Sequence, residues 1–186
     1  MYDRVAPWGR AALDLFFPPR CTTCDGAVPA STCPLRRAFC SACLCHLEPL
    51  GREACPACAR PLARPGTCPA CCTCPPPWRR AVAAFTYGGA MRAAVLRMKF
   101  GRRPWIAAAL GEVLGFALRQ AALGPELVTF VPLHPARLRA RTFDQAALIA
   151  GPVARSLGPV VPLALLRRDR AAPPQATASR TARLRA

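Results

Sequence analysis

Residues 21–43 read CTTCDGAVPASTCPLRRAFCSAC and residues 55–74 read CPACARPLARPGTCPACCTC, and these two stretches decide how the fold begins. Each holds the spacing CxxC twice: Cys21/Cys24 and Cys40/Cys43 in the first, Cys55/Cys58 and Cys68/Cys71 in the second. Two residues between cysteines let a tight turn aim both sulfurs at one ion, giving half of a tetrahedral site with Zn–S near ~2.3 Å. Two such turns complete it. The intervening segments of 15, 11 and 9 residues are long enough for short hairpins, and Gly26, Pro29, Gly51, Pro61 and Gly66 supply turn residues.

Four pairs make two closed four-cysteine sites. A closed site has no open coordination position, so its metal is structural, and it supplies folding free energy to a segment too small for a core of its own. Sequential, crossed and nested pairings all satisfy the spacing. We take the sequential one, with Cys21, Cys24, Cys40 and Cys43 on one zinc ion and Cys55, Cys58, Cys68 and Cys71 on the other. Cys33, Cys45, Cys72 and Cys74 are left over and read as small buried or free thiols, with Cys74 an alternative to Cys71. Iron–sulfur clusters and disulfides are the rival uses of the eight cysteines.

All twelve cysteines fall between Cys21 and Cys74, which marks a boundary by composition alone. Residues 1–20 read as a helical lead-in, 21–74 as the double ribbon, 75–80 as a stiff proline-rich linker and 81–186 as a second domain. Asp14 interrupts the only apolar stretch near the start, so no secretory leader is expected. The longest apolar segment, Trp105 to Leu123, carries Glu112, Arg119 and Gln120 and reads as a core helix, not a membrane span. A cytoplasmic location follows as the expectation, and in a reducing compartment many cysteines favour metal over disulfides.

The chain has 186 residues, 26 Lys+Arg against 9 Asp+Glu, a formal charge of +17 and 53% hydrophobic residues. More than half apolar is enough to close a core, which excludes a wholly disordered chain, and no collagen-like or heptad repeat is present. The charge points to anionic partners. Lys99 is the lone lysine among the 26 basic residues, so part of the basicity reflects arginine-rich codon usage.

After the linker, strand and helix patterns alternate, which argues for an α/β domain with a largely parallel sheet. Ala81 to Tyr87 reads as a strand and Ala90 to Phe100 as a helix with Met91, Ala94, Val95 and Met98 on one face. Pro104 opens a second helix, along which Ile106, Leu110, Val113, Leu114 and Ala117 recur at three- and four-residue steps. Leu127 to Leu133 reads as a strand buried on both faces. His134 to Arg141 reads as an arginine-rich loop leading to a helix from near Phe143. A loop at the carboxyl end of a buried strand, ahead of a helix start, is a natural phosphate site.

This order of features resembles the ComF family, which joins an N-terminal zinc ribbon, often double, to a type I phosphoribosyltransferase domain. The resemblance rests on the four CxxC pairs, PPPW at Pro75 to Trp78, KFG at Lys99 to Gly101, VPLHPARLRAR from Val131 to Arg141 and RDRAAPPQ from Arg168 to Gln175. It implies a double zinc ribbon followed by an incomplete, Rossmann-like parallel-sheet domain. The implied ligand is 5-phosphoribosyl-1-pyrophosphate with Mg²⁺, bound in a full-length parent, and the implied role is in competence and DNA uptake.

By the same resemblance Pro132, Leu133, His134 and Arg137 would cradle the pyrophosphate and Lys99 would add a cation. Arg141 and Gln145 match the family's RGFNQ motif, and Arg168, Arg170, Gln175 and Arg183 match a segment that closes over the ligand. Thr142 replaces the motif's glycine and is expected to deny the backbone a positive φ. Asp144 is expected to place a negative charge beside the anion site. Pro152 is expected to kink or split its helix. The strand ending in an acidic pair, with its Thr/Gly-rich phosphate loop, is not recognisable in the sequence, so the domain is expected to be incomplete and this chain catalytically silent. The competing class is a zinc-ribbon module that grips single-stranded nucleic acid without catalysis. Single-stranded DNA or a DNA-uptake helicase would then be its partner.

Overall fold

The structure, a computed structural model, describes residues 18–51, 53–158 and 160–170. Most of the expected N-terminal lead-in, together with Gln175 and Arg183, lies outside them.

The ribbons come first. Helix α1 (Pro34–Ala38) and the single turn α2 (Ser41–Leu44) belong to the first, and α3 (Pro69–Thr73) to the second. Then come α4 (Gly89–Phe100) and α5 (Pro104–Gln120), each close to its expected bounds, with Pro104 at the first helical position. A two-residue strand β1 (Val128–Thr129), helices α6 (Pro135–Arg141) and α7 (Gln145–Leu157), and a second two-residue strand β2 (Pro162–Leu163) follow. The strands pair in parallel, Val128 opposite Pro162 and Thr129 opposite Leu163. The architecture is thus two four-cysteine ribbons, a helical layer and a small two-stranded parallel sheet; the described residues do not make up a complete Rossmann-like domain.

One core joins the first ribbon to the helices. Ala38, Phe39 and Leu47 are buried with Ala90, Ala94 and Met98 of α4, Ile106, Ala107, Leu110 and Val113 of α5, and Phe143. Phe39 and Ile106 are almost wholly withdrawn from water, and each such side chain contributes ~1.5–3 kcal/mol of transfer free energy. The second ribbon supplies none of these residues. Its knuckle is instead strapped by the proline-rich segment: the Trp78 indole Nε1 donates to the Ala57 carbonyl at 2.7 Å, and the Ala81 amide donates to the Pro56 carbonyl at 2.9 Å.

Several expectations about local structure give way. Ala81 to Tyr87 is not a regular strand; it is extended chain pinned by one antiparallel bridge, Phe85 to Pro49. The neighbour it bonds to is the residue 48–50 stretch, too short to carry a ladder. The run Leu127 to Leu133 forms regular pairing only at Val128 and Thr129, because its partner turns away where the Leu165 amide donates to the Leu163 carbonyl at 3.1 Å.

His134 to Arg141 is not a loop. Pro135 occupies the first helical position and the His134 side chain caps the helix, its Nδ1 accepting from the Ala136 amide. Thr142 nonetheless adopts φ 71°, closing α6 through its amide to the Leu138 carbonyl at 2.7 Å, so a β-branched residue takes the left-handed conformation at the helix end.

Pro152 does not split α7, which runs unbroken from Gln145 to Leu157. The reason lies on the neighbouring helix. A Cβ at Gly111 would stand 2.7 Å from the Ile149 carbonyl oxygen and 3.1 Å from Pro152 Cγ, and one at Gly115 would meet the Ser156 side chain at 2.6 Å. The two glycines let α5 and α7 approach until the proline ring fills the seam, and the packing gained offsets the helical hydrogen bond that proline cannot donate. Replacing Gly115 by leucine is therefore expected to lower stability by ~1–3 kcal/mol or more through overpacking, read as a fall in the thermal midpoint with both zinc ions retained.

Candidate metal centres and a basic cleft

Each ribbon is assembled from the same two local devices. The first is a knuckle. In Cys21–Gly26 the Cys21 amide donates to the Gly26 carbonyl at 2.8 Å and the Asp25 amide to the Cys21 carbonyl at 3.0 Å; in Cys55–Arg60 the Cys55 amide donates to the Arg60 carbonyl at 2.8 Å and the Ala59 amide to the Cys55 carbonyl at 2.7 Å. The residue after the second cysteine is left-handed in both, Asp25 at φ 69° and Ala59 at φ 57°. Antiparallel bridges, Arg20 to Ala27 and Ala54 to Pro61, close the two hairpins. The second device is a helical turn beginning at a cysteine: Cys40 caps α2 and Cys68 caps α3. The ribbons are a structural repeat, and the first has a longer middle that holds α1.

The knuckle and the turn bring four sulfurs together. Those of Cys21, Cys24, Cys40 and Cys43 lie within 4.8 Å of one another, as do those of Cys55, Cys58, Cys68 and Cys71. The grouping is sequential. Cys24 and Cys40 sulfurs are 3.6 Å apart, and Cys58 and Cys68 sulfurs 3.7 Å apart. A tetrahedron with Zn–S of ~2.3 Å has S···S edges of ~3.8 Å, so both clusters already have the dimensions of a zinc site. Cys33, Cys45, Cys72 and Cys74 stand outside the clusters.

The thiol electrostatics suit a cation. Burial pushes the Cys21 thiol up, but amides of Cys24, Cys40 and Thr23 outweigh it and bring the thiol down to about 7. Hydrogen bonding from the Cys68 amide leads in drawing Cys55 down to about 6. Their neighbours move the other way. Burial, then the crowding of Cys40, Cys24 and Cys21, drives Cys43 far above the usual thiol range, and burial with Cys58, Cys68 and Cys55 pushes Cys71 up to about 12. Four thiolates cannot coexist at these separations unaided; a divalent, thiophilic ion with tetrahedral preference resolves the conflict. Two structural zinc ions fit these donors.

A second element of the first site was not legible in the sequence. Asp25, on the knuckle, is bridged by Arg97 of α4 at 3.2 Å and by Arg103 at 2.5 Å. The Arg103 hydrogen bond, more than that of Arg97, holds the Asp25 carboxyl below the usual carboxylate range. Arg97 also donates to the carbonyls of Cys21 and Thr22, at 3.3 and 3.0 Å. Thr22, buried, donates to the Ala38 carbonyl, and Thr23 to that of Ala90. The metal site is thus fastened to α4 through its own knuckle backbone.

The residues proposed for a phosphate ligand fall into separate groups. Pro132, Arg168 and Arg170 line one cleft of about 400 Å³, with Val131, Leu166, Arg167 and Asp169, beyond the carboxyl ends of β1 and β2; Arg167 is taken up by Asp169, its Nε donating to Oδ1 at 2.6 Å, which leaves Arg168 and Arg170 as the cleft's other cations. Arg141 donates to Gln145 Oε1 at 2.8 Å and lies 5.7 Å over the Phe100 ring. Burial, with Arg137 nearby, lowers the Arg141 pKa from its usual value. Lys99 sits half-buried one residue before Phe100, and His134 caps α6; neither lines the cleft, nor does Arg137. Asp144 is not a free negative charge: its Oδ1 caps α7 through the amides of Ala146 and Ala147, and its Oδ2 accepts the Leu133 amide at 2.7 Å. That carboxylate fixes the turn after β1, and it occupies the Leu133 N–H that an anion could otherwise use.

Comparison with known proteins bears on these features. Residues 12–72 match the double zinc ribbon domain family. The chain is similar to a protein of Salmonella typhimurium named DNA utilization protein YhgH, at 38% identity over 110 residues, covering 56% of this chain and 48% of the relative. It is similar also to the protein of that name from Escherichia coli K12, at 34% over 109 residues, covering 55% and 48%. The matched region spans about half the length of these curated relatives. No solved structure matches the chain. No described helix is long and apolar enough to cross a membrane.

Purified protein is expected to carry close to two zinc ions, measured by elemental analysis, and to release them as the pH falls, because protons compete for the thiolates. The two sites should differ in consequence. Cys40→Ser, in the ribbon that shares the core, should lower the thermal midpoint much more than Cys68→Ser, each leaving about one zinc bound. Asp25→Asn, with zinc saturating at neutral pH, should keep both ions yet lower the midpoint, since the amide cannot pair with Arg97 and Arg103.

Proposed function

We propose that this chain is the zinc-ribbon-anchored, diphosphate-side portion of a phosphoribosyltransferase-like protein that serves DNA utilization. The observation that carries the reading is the position of the arginine-lined cleft. β1 leads through α6 and α7 to the parallel strand β2, and the cleft opens where both strands end. In open parallel sheets the carboxyl edge is where ligands sit, since the loops there are free of the ladder. The name of the relatives supports the cellular context, and the double ribbon agrees with the sequence resemblance.

The ligand would be phosphoribosyl pyrophosphate with its Mg²⁺. Arg168 and Arg170 would meet the diphosphate with charge-assisted hydrogen bonds, the strongest available at a partly exposed site. Asp144 would hold the Val131–His134 turn in place through the Leu133 amide. Chemistry at the ribose would need a pocket for the 5-phosphate, and no acidic pair with a Thr/Gly-rich loop occurs among the described residues, so binding without transfer is the expected behaviour of this chain.

Titration of isotope-labelled, zinc-loaded protein with Mg²⁺ and inorganic diphosphate is expected to shift backbone resonances at residues 131–134 and 166–170, saturably. Arg168→Ala with Arg170→Ala should abolish the shifts. Absence of saturable shifts there, or equal shifts at arginines across the surface, would overturn the reading.

A second reading has one observation in its favour. Phe100 is 73% exposed beneath the Arg141 guanidinium, and Trp78 is 54% exposed. Exposed rings beside arginines offer stacking platforms for a single strand of nucleic acid. Retention of single-stranded DNA that falls steeply with salt and is lost in Phe100→Ala would favour it over the diphosphate cleft.

A further inference from the structure

The second ribbon carries a cysteine spacing that the first lacks. Its helical turn runs Cys68-Pro-Ala-Cys71-Cys-Thr-Cys74, so the ligand Cys71 opens a further CxxC with the spare thiol of Cys74. The matching turn of the first ribbon runs Cys40-Ser-Ala-Cys43-Leu-Cys45, where the spare thiol stands two residues from the ligand. On a helical turn residues three apart are neighbours, and residues two apart do not face each other. The turn stays helical as far as Cys74: the Cys71 and Cys72 amides both donate to the Cys68 carbonyl, at 2.9 and 3.0 Å, and the Cys74 amide donates to that of Ala70 at 3.0 Å.

Cys74 is exposed and Cys71 half-buried. Neighbours at this spacing have Cβ atoms about 5–6 Å apart, and a disulfide needs about 3.5–4.5 Å. Cys74 can close the difference, because it caps the end of α3 with its backbone already out of the helix, at φ −137° and ψ 86°. Cys72 is a poorer partner. Adjacent Cα atoms stand ~3.8 Å apart, short of the ~4.4–6.8 Å that a disulfide spans, and the Cys72 thiol is turned back to the Thr67 carbonyl at 3.7 Å.

We propose that Cys71 and Cys74 form a reversible disulfide when hydrogen peroxide is present, which withdraws Cys71 from the second zinc site while the first site keeps its four ligands. The Cys71 thiolate attacks the peroxide: an S–O bond forms, the O–O bond breaks, and hydroxide leaves and takes up a proton to become water. The Cys74 thiol then attacks the sulfenic acid: an S–S bond forms, the S–O bond breaks, and the thiol proton leaves with the oxygen as a second water. The two sulfurs lose two electrons and the peroxide gains them. Cys55, Cys58 and Cys68 are left as an incomplete ligand set, and the second zinc ion is released.

The resolving thiol, not access to oxidant, distinguishes the two ribbons, because Cys24 of the first site is exposed as well. The damage also stays local. None of the buried core that joins the first ribbon to the helices comes from the second. What the second ribbon does touch is the strap that begins at Pro75, immediately after Cys74, and holds its knuckle through Trp78 and Ala81. Peroxide is thereby read as the zinc occupancy of one ribbon on a chain that stays folded.

The test treats the zinc-loaded chain with hydrogen peroxide, follows released zinc with a chromogenic chelator, and maps the disulfide by mass spectrometry after free thiols are blocked. About one zinc ion of two is expected to leave as a bond between Cys71 and Cys74 appears, and a dithiol reductant with added zinc should restore both. Cys74→Ser and Cys74→Ala should each bind two zinc ions before oxidation and release the second about tenfold more slowly, whereas Cys72→Ser should behave as the parent chain. If the Cys74 variants hold one zinc ion before oxidation, Cys74 is itself a ligand and the switch does not exist. Equal release from parent and Cys74 variants, simultaneous loss of both ions, or a bond through Cys72 or between two chains would each defeat the proposal.

Discussion

Four sulfurs held within a few ångströms of one point are the constraint from which the rest of the amino-terminal half follows. Left to themselves, such thiols divide into ionised and protonated members, as the opposite displacements of Cys21 and Cys43, and of Cys55 and Cys71, make plain. A divalent ion converts that repulsion into attraction. It can then hold Asp25 and Ala59 in left-handed backbone, a conformation costing an L-residue roughly 1–2 kcal/mol. The knuckle hydrogen bonds and the capped turns at Cys40 and Cys68 converge on the same point, so local geometry and metal affinity are two views of one arrangement.

The repeat is symmetric in its knuckles and asymmetric in its use. A middle segment of 15 residues in the first ribbon, against 9 in the second, gives it α1, and with α1 come Ala38 and Phe39 of the common core. Arg97 then reads the knuckle carbonyls directly, and Asp25 draws in Arg103 at the start of α5. Apolar burial and a partly shielded ion network thus fasten the same ribbon to the helices. The surface pair Arg37–Glu112, at 3.3 Å, adds little by comparison, being well exposed to water. The second ribbon rests on the Pro75–Ala81 strap through Trp78, and an apolar groove of about 750 Å³ separates it from α5. Metal loss at the two sites therefore has unequal consequences for the helical half.

What could be read from the sequence was what is encoded locally. CxxC spacing is local, and so is the helical period that marks α4 and α5. The ribbon repeat, too, follows from spacing. The departures came where the decisive neighbour lies far along the chain. Val128 and Thr129 are a strand only because Pro162 and Leu163 arrive beside them; the rest of the LVTFVPL run finds no ladder. Pro152 is tolerated because Gly111 and Gly115 make room for it, a fact legible only when GEVLG and the proline are seen to share a seam. Two departures did carry local signals. His134-Pro135 is a cap followed by a first-turn proline, which announces a helix, and Asp144 before Gln145 is an N-cap, whose oxygens are taken up by backbone amides. Asp25, Arg97 and Arg103 carried no recognisable pattern at all.

These corrections change how the turn after β1 works. A Pro-Leu-His sequence ending a strand resembles an anion cradle, yet the Leu133 amide is already bonded to Asp144, and His134 is engaged as a cap. On the proposed reading, the groups that would face an anion are therefore side chains from beyond the carboxyl end of the neighbouring strand, Arg168 and Arg170, more than backbone amides. Side-chain guanidinium groups are longer, more mobile and better screened than amides fixed in a loop, so a site built from them attracts a polyanion without imposing a geometry on it. Attraction without geometry suffices for binding and falls short of catalysis, which depends on groups placed before the charge develops. On that reading the fixed part of the site would be the turn and the adaptable part the arginine segment.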